Sequence, residues 1–190
     1  MILRRFRRHK LALLGMAMFV VLVILAAGAD FIAPWPPQRM DENAFEAAPS
    51  ATHLLGTDAV GRDVLSRTIH ATRVSLAVGV GAVAVYVTIG TALGALAGFF
   101  GGAVDTFLSR VADVFLSFPA LLLILIVVSI IGPGLLNIIL VLGFLNWPQP
   151  FRIVRGSFLS LKAQEFVEAG RALGVSPARP IFRHILPNAL

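Results

Sequence analysis

The chain has 190 residues, of which 57% are hydrophobic and only 14% charged, and its mean hydropathy is +0.86. A soluble domain carries roughly a quarter of its residues as Asp, Glu, Lys and Arg, so this composition excludes an ordinary soluble globule. The formal charge of +6 would suggest nucleic acid or anionic lipid in a soluble protein, and the absence of cysteine removes disulfides and thiolate metal sites.

The charges are segregated along the chain. Residues 11–29, 74–104 and 114–151 contain none, and each run approaches or exceeds the roughly 20 apolar residues that a helix needs to cross the hydrocarbon core. Gly132-Pro133-Gly134 interrupts the third run as a strong turn signal. Four transmembrane helices are therefore predicted, at about 11–31, 74–98, 113–131 and 135–150, in an all-α polytopic membrane protein. A cleaved signal peptide competes for the first 30 residues, but the apolar run is long for that purpose and Gly28-Ala29-Asp30 is a weak cleavage site. The retained first helix, with its basic flank, forms the segment 1–31.

Arg4, Arg5, Arg7, Arg8 and Lys10 precede the first span, and short basic flanks stay in the cytoplasm. Counting spans from there places the loop 32–73 outside, 99–112 inside and everything after about 150 inside. The outer loop carries Asp41, Glu42, Glu46, Asp58 and Asp63, whereas the last segment carries Arg152, Arg155, Lys162, Arg171, Arg179 and Arg183. Both ends of the chain predict the same orientation, with a cytoplasmic N-terminus.

Pro34-Trp35-Pro36-Pro37 ends the first span, and the region to about residue 52 reads as irregular. Gly56 permits a turn, and Thr57 or Asp58 can cap a helix start. Asp58 and Arg62 are spaced i, i+4 and can pair. Val64, Leu65 and Ile69 make an apolar stripe opposite Arg67 and His70, which suits an amphipathic helix on the membrane surface. In the second span Gly90, Gly94 and Gly98 fall on one helix face, where small residues admit a neighbouring helix. This face serves either tight packing or a contact that slides. Asp105 and Arg110 are expected to be structural, on a short turn and helix. No span carries a Lys, Arg or Glu near its centre, which argues against an ion-coupled carrier.

In the last segment, residues 163–173 read as a short helix. Gly174 suits its left-handed termination, and Ser176-Pro177 can cap and open the next. The run Glu168-Ala169-Gly170-Arg171-Ala172-Leu173-Gly174, followed after nine intervening residues by His184-Ile185-Leu186-Pro187-Asn188, resembles the cytoplasmic signature of ABC importer permeases. Glu168, Ala169, Gly174, Leu186 and Pro187 fall on that pattern, while Gly170 and His184 depart from it. The outer block Gly56-Thr57-Asp58-Ala59-Val60-Gly61-Arg62-Asp63 is similar to one that marks a subunit of the dipeptide, oligopeptide and nickel importers.

The resemblance implies an ABC type I importer permease fold with six spans, four of them present, so that the chain reads as C-terminally truncated. It divides the rest into an extracytoplasmic loop, 32–73, and a permease core, 74–190, with the coupling segment at 163–188. It implies transport of di- or oligopeptides, or of nickel or other chelates, across a bacterial or archaeal inner membrane. The implied partners are a second permease in a heterodimer, two ATP-binding cassette subunits and an extracytoplasmic solute-binding protein, besides the lipid. Glu168, Ala169, Gly170, Leu173 and Gly174 would meet the ATPase. The outer block would serve as a structural elbow or as a contact for the solute-binding protein.

No Gly-x-x-x-x-Gly-Lys-Ser/Thr loop is present to cradle a triphosphate, and neither His-Glu-x-x-His nor Gly-x-Ser-x-Gly occurs. No catalytic residue, metal site, cofactor or nucleic-acid partner is therefore proposed from sequence. His9, His53, His70 and His184 are expected at surfaces or boundaries. The rival reading is a non-transporting remnant or membrane scaffold.

Overall fold

The computed structural model describes residues 9–162. Among them lie seven helices: α1 (Lys10–Ala27), α2 (Ala29–Ile32), α3 (Val64–Phe100), α4 (Gly102–Ser117), α5 (Ala120–Ile131), α6 (Leu135–Asn146) and α7 (Pro148–Lys162). Two isolated bridges, Met40 to Arg62 and Thr57 to Asp63, are the only β pairing among the described residues. The chain divides into two compact units between Ala77 and Val78.

In the first unit, α1 is apolar around most of its circumference and largely exposed, the condition of a helix whose solvent is lipid. Its last carbonyls, which have no helical donor, are met by Arg73. That guanidinium donates to Ala26 O and Ala27 O and pairs with Asp30 at 2.9 Å. α3 begins at Val64, so Val64, Leu65 and Ile69 occupy its first turns rather than a separate surface helix.

Two helices among the described residues are long and apolar enough to cross a membrane: α1, with a hydropathy of 2.5, and α3, with 2.0. The sequence predicted four. The third predicted span is divided, because α4 and α5 meet at a bend of 87° and count as a third crossing only if the bent pair is one span. Pro119 causes the break. It holds Phe118 in an extended conformation (φ −98°, ψ 142°) and removes a helical donor. The fourth predicted span ends its first helix at Asn146, where Pro148 and Pro150 remove two further donors. Trp147 keeps the αR conformation between α6 and α7, and Phe151 N still bonds to Trp147 O at 3.1 Å.

The core of the second unit is built where α7 lies on α3. Ala97, Ala112, Trp147 and Phe151 are buried together, with Leu93, Leu108 and Phe115 packed around them. Trp147 meets the edges of Phe115 and Phe151, with ring centroids 5.6 and 5.5 Å away. Phe151, Val154 and Phe158 form the buried stripe of α7.

Gly90, Gly94 and Gly98 are what let α7 approach. A Cβ on Gly90 would stand 2.7 Å from Trp147 O, one on Gly94 2.7 Å from Phe151 O, and one on Gly98 2.4 Å from Phe158 Cβ. On the preceding turns of α3, Gly81 faces Ile139 and Val85 faces Gly143 of α6. Gly79, by contrast, has open space around it. Gly94→Ala is therefore expected to cost about 1–3 kcal/mol by overpacking, read as a lower thermal midpoint of the detergent-solubilised protein. Gly79→Ala should leave that midpoint unchanged or raise it slightly, alanine being the better helix former; equal losses from the two would refute the close-contact assignment.

Candidate functional site

The block 53–67 folds with residues 35–50 into a knot at the start of α3, all within the first unit. Two glycines permit the crossing of chain segments. Gly56 has φ +74° and Gly61 φ +77°, a region that side-chain-bearing residues avoid. There is also no room for a side chain, since a Cβ on Gly56 would lie 2.4 Å from Ala47 O and one on Gly61 2.3 Å from Asp41 O. The crossings are stitched by Asp41 N to Gly61 O at 2.9 Å, Glu46 N to Asp58 O at 3.1 Å and Thr57 N to Ala47 O at 3.1 Å. The buried Thr57 hydroxyl accepts from Ala47 N at 2.9 Å and donates to Ala44 O.

Asp58 is a hub rather than a helix cap. Its Oδ1 accepts from Val60 N and Arg62 N, both at 3.0 Å, while Oδ2 takes Arg62 Nε at 2.9 Å and a contact from Arg67. The expected Asp58–Arg62 pair is thus present, but in a turn outside any helix. Led by the Arg62 backbone N–H, these partners hold the Asp58 carboxyl down at about 2. The capping role belongs to Asp63, whose Oδ2 accepts Ser66 N at 2.7 Å at the head of α3.

His53, expected at a surface, is buried. Its Nδ1 lies 3.0 Å from Asp63 Oδ1 and its Nε2 3.5 Å from Asp41 Oδ2. Trp35 stacks on its ring at 5.6 Å, and the Arg39 guanidinium lies over the indole at 4.4 Å from the centroid. Trp35 is itself anchored by N–H bonds to Ser66 Oγ and Thr52 O at 3.0 and 3.1 Å. Together Trp35, Arg39, Asp41, His53, Gly61 and Asp63 line a cleft of ≈ 260 Å³.

The hydrogen bond to Asp63 raises the pKa of His53, opposed by burial and helped by Asp41. Burial pushes the Asp63 carboxyl up, but the Ser66 hydroxyl and N–H and then His53 outweigh it, leaving the carboxyl lowered. Asp41 is lowered first by the Asn43 N–H and then by His53. Gly56, Thr57, Asp58, Gly61, Arg62 and Asp63 are brought together in this knot. Trp35, Arg39, Asp41 and Ser66 were not anticipated as their partners. Trp35 had a local signal in the Pro-Trp-Pro-Pro run; nothing in spacing marked Asp41.

A second cluster lies in the second unit, where α7 joins α4 and the end of α3. Arg155 holds Asp105 with both of its forks, one at 2.7 Å, Arg152 reaches Asp113 at 2.6 Å, and Lys162 Nζ donates to Phe99 O at 2.8 Å. The expected coupling residues Glu168, Ala169, Gly170, Leu173 and Gly174 lie outside the described residues.

Because the folded pKa of His53 is raised above 6.5, its contribution to stability is complete below that value and is lost as pH rises through the folded pKa. The thermal midpoint should fall as pH rises above about 6.5, and His53→Gln should flatten that slope. An unchanged slope in the variant would remove His53 as its source.

Residues 90–190 match the family described as "Binding-protein-dependent transport system inner membrane component". Residues 1–49 match the "N-terminal TM domain of oligopeptide transport permease C". Over 188 residues the chain is 37% identical to the glutathione transport system permease protein GsiD of Pectobacterium atrosepticum, covering 98% of this chain and 62% of the relative. It is 36% identical to the dipeptide transport system permease protein DppC of Alkalihalophilus pseudofirmus, with the same coverage. It is also 36% identical to the oligopeptide transport system permease protein OppC of Bacillus subtilis, covering 98% and 61%. The chain thus spans about three fifths of the length of the curated relatives it matches. It belongs to the family of binding-protein-dependent transport system inner membrane components, a family of membrane permease subunits rather than catalysts.

Proposed function

We propose, from that membership, that the chain is a pore-forming permease subunit of an ATP-driven importer that moves short peptides across the cytoplasmic membrane. The relatives reported above are named for dipeptide, oligopeptide or glutathione transport, which favours peptides over nickel or other chelates as the cargo. The working assembly contains a second permease, two ATPase subunits and an external solute-binding protein. Arg4, Arg5, Arg7, Arg8 and Lys10 keep the N-terminus inside, which sets the knot of the 34–63 loop outside beyond α1; four crossings, as the charge pattern predicts, return the segment after α7 to the inside.

The observation that carries this reading is the extent of the family match, from Gly90 on α3 through the Glu168–Gly174 segment. α7 ends at Lys162, with five residues between it and Glu168 in the chain, and is packed closely on the glycines of α3. ATP binding by the motor pushes the coupling segment, and α7 carries the displacement into α3, because interfaces this close shift as bodies rather than deform. Glu168 supplies polar contact with the ATPase. Ala169, Gly170 and Gly174 permit close approach by the ATPase, and Leu173 belongs to the same contact. The 34–63 knot, rigid and polar, offers the delivery protein a fixed face.

Gly174→Trp in the complete importer is expected to lower uptake at least about tenfold, in the range of ordinary coupling energies, while ATP hydrolysis and membrane content persist. Uptake at the wild-type level would count against the lever. The chain has no cysteine, so single probes are clean. Ser50→Cys should react with an impermeant maleimide in intact cells, and Ser176→Cys only after permeabilisation. The opposite pattern would overturn the topology.

A further inference from the structure

The basic residues of α7 explain more than orientation. Arg152, Arg155 and Lys162 occur on the cytoplasmic side in the reading above, and any short basic segment there would satisfy the same rule. Each of these three is nevertheless committed to a partner on the corner formed by the end of α3 and the body of α4. Lys162 closes the α3 carbonyl of Phe99 at 2.8 Å, and Arg152 meets Asp113 at 2.6 Å. Arg155 grips both oxygens of Asp105, whose Oδ1 also accepts from Ser109 Oγ at 3.3 Å.

The Asp105–Arg155 pair differs from the others in its surroundings. The side chain of Asp105 is 16% exposed and that of Arg155 33%, against 48% and 56% for Asp113 and Arg152. A two-pronged guanidinium–carboxylate contact fixes direction as well as distance, and partial burial spares it much of the screening that weakens exposed pairs. Arg155 also sits on the same stretch of α7 that Gly94 and Gly98 receive, since a Cβ on Gly94 would stand 3.2 Å from Arg155 N and one on Gly98 3.0 Å from Arg155 O. At one residue, therefore, α7 is pressed on α3 through its backbone and tied to α4 through its side chain.

We infer that Asp105 and Arg155 are positioning residues for energy coupling: the pair makes α7, α4 and the end of α3 move as one body when the segment after α7 is displaced. The inference rests on the coupling reading given above. Without the pair, α7 can tilt on its glycine contact and dissipate the displacement before it reaches α4 and, through the Phe118-Pro119 bend, α5. Arg152–Asp113 and Lys162–Phe99 O contribute less, the first because it is solvent-exposed, the second because it holds a single carbonyl.

The test uses the complete permease in its importer, with uptake of labelled di-, tri- and tetrapeptides and glutathione compared with ATP hydrolysis by the copurified complex. Asp105→Arg and Arg155→Asp should each lower the ratio of uptake to hydrolysis at least about tenfold, with membrane content and copurified ATPase within a factor of about two of wild type. The double exchange should recover most of the ratio. Asp105→Asn supplies a milder variant should the reversals insert poorly, with an intermediate ratio expected. A purely structural pair would lower content and uptake together at constant ratio, and that result, or an undiminished ratio in Asp105→Asn, overturns the inference. If the wild-type complex copurifies no ATPase, or takes up none of the peptides, the reading beneath it fails instead.

Discussion

The second unit depends on one constraint, that α3 carries glycine at Gly90, Gly94 and Gly98, where it comes nearest to the backbone of residues 147–158. Lipid offers apolar surfaces no incentive to associate, so helices hold together there by the dispersion of close contact and by polar groups that lipid cannot satisfy. Gly90, Gly94 and Gly98 provide the first on successive turns, and the neighbours they admit are backbone atoms of Trp147, Phe151 and Arg155 with the Pro150 ring and the Val154 and Phe158 Cβ atoms, rather than flexible side-chain ends. Backbone cannot rotate away from an intruding methyl group. The aromatic cluster of Phe115, Trp147 and Phe151 and the reach of Arg155 to Asp105 both follow from the closeness thus achieved.

The knot before α3 is held by different means. It has few large buried apolar side chains, and order comes from crossings in which each polar group finds a partner. Asp58 alone gathers two backbone N–H groups and two guanidinium contacts. His53 bridges two carboxylates that belong to separate stretches of the loop, and one of them starts the helix. Such a network defines a fixed surface without requiring a hydrophobic core, which suits a short loop attached to a long helix.

What the sequence revealed follows from the range of each signal. Long uncharged runs identify α1 and α3, and a spacing of four identifies the glycine face, because both are local patterns. The start of α3 was misplaced because Thr57, Asp58 and Asp63 are all good capping residues. Only the crossing of Gly61 over Asp41 selects the last of them. The bend at Pro119 was not read from the sequence, because the uncharged apolar run continues on both sides of it. The associations of Asp41 with His53 and of Asp105 with Arg155 join residues 12 and 50 positions apart. No periodicity connects such pairs, so Asp41 and Arg155 read only as charges that set orientation, and Asp105 as a structural residue without a partner.

Both units solve the same problem at the ends of their apolar helices. The last carbonyls of a helix have no internal donor and carry a partial negative charge, and hydrocarbon can satisfy neither need. In the first unit Arg73, on α3, donates to Ala26 O and Ala27 O at the end of α1. In the second unit Lys162, on α7, donates to Phe99 O at the end of α3. Each cation comes from a helix later in the chain, and each long apolar helix is thereby closed by the element that must remain registered against it. Arg73 is further neutralised by Asp30, whereas Lys162 stands at the last described turn of α7. A cation placed there ties the end of α3 to the very point at which the chain passes into the segment proposed to receive the motor's push.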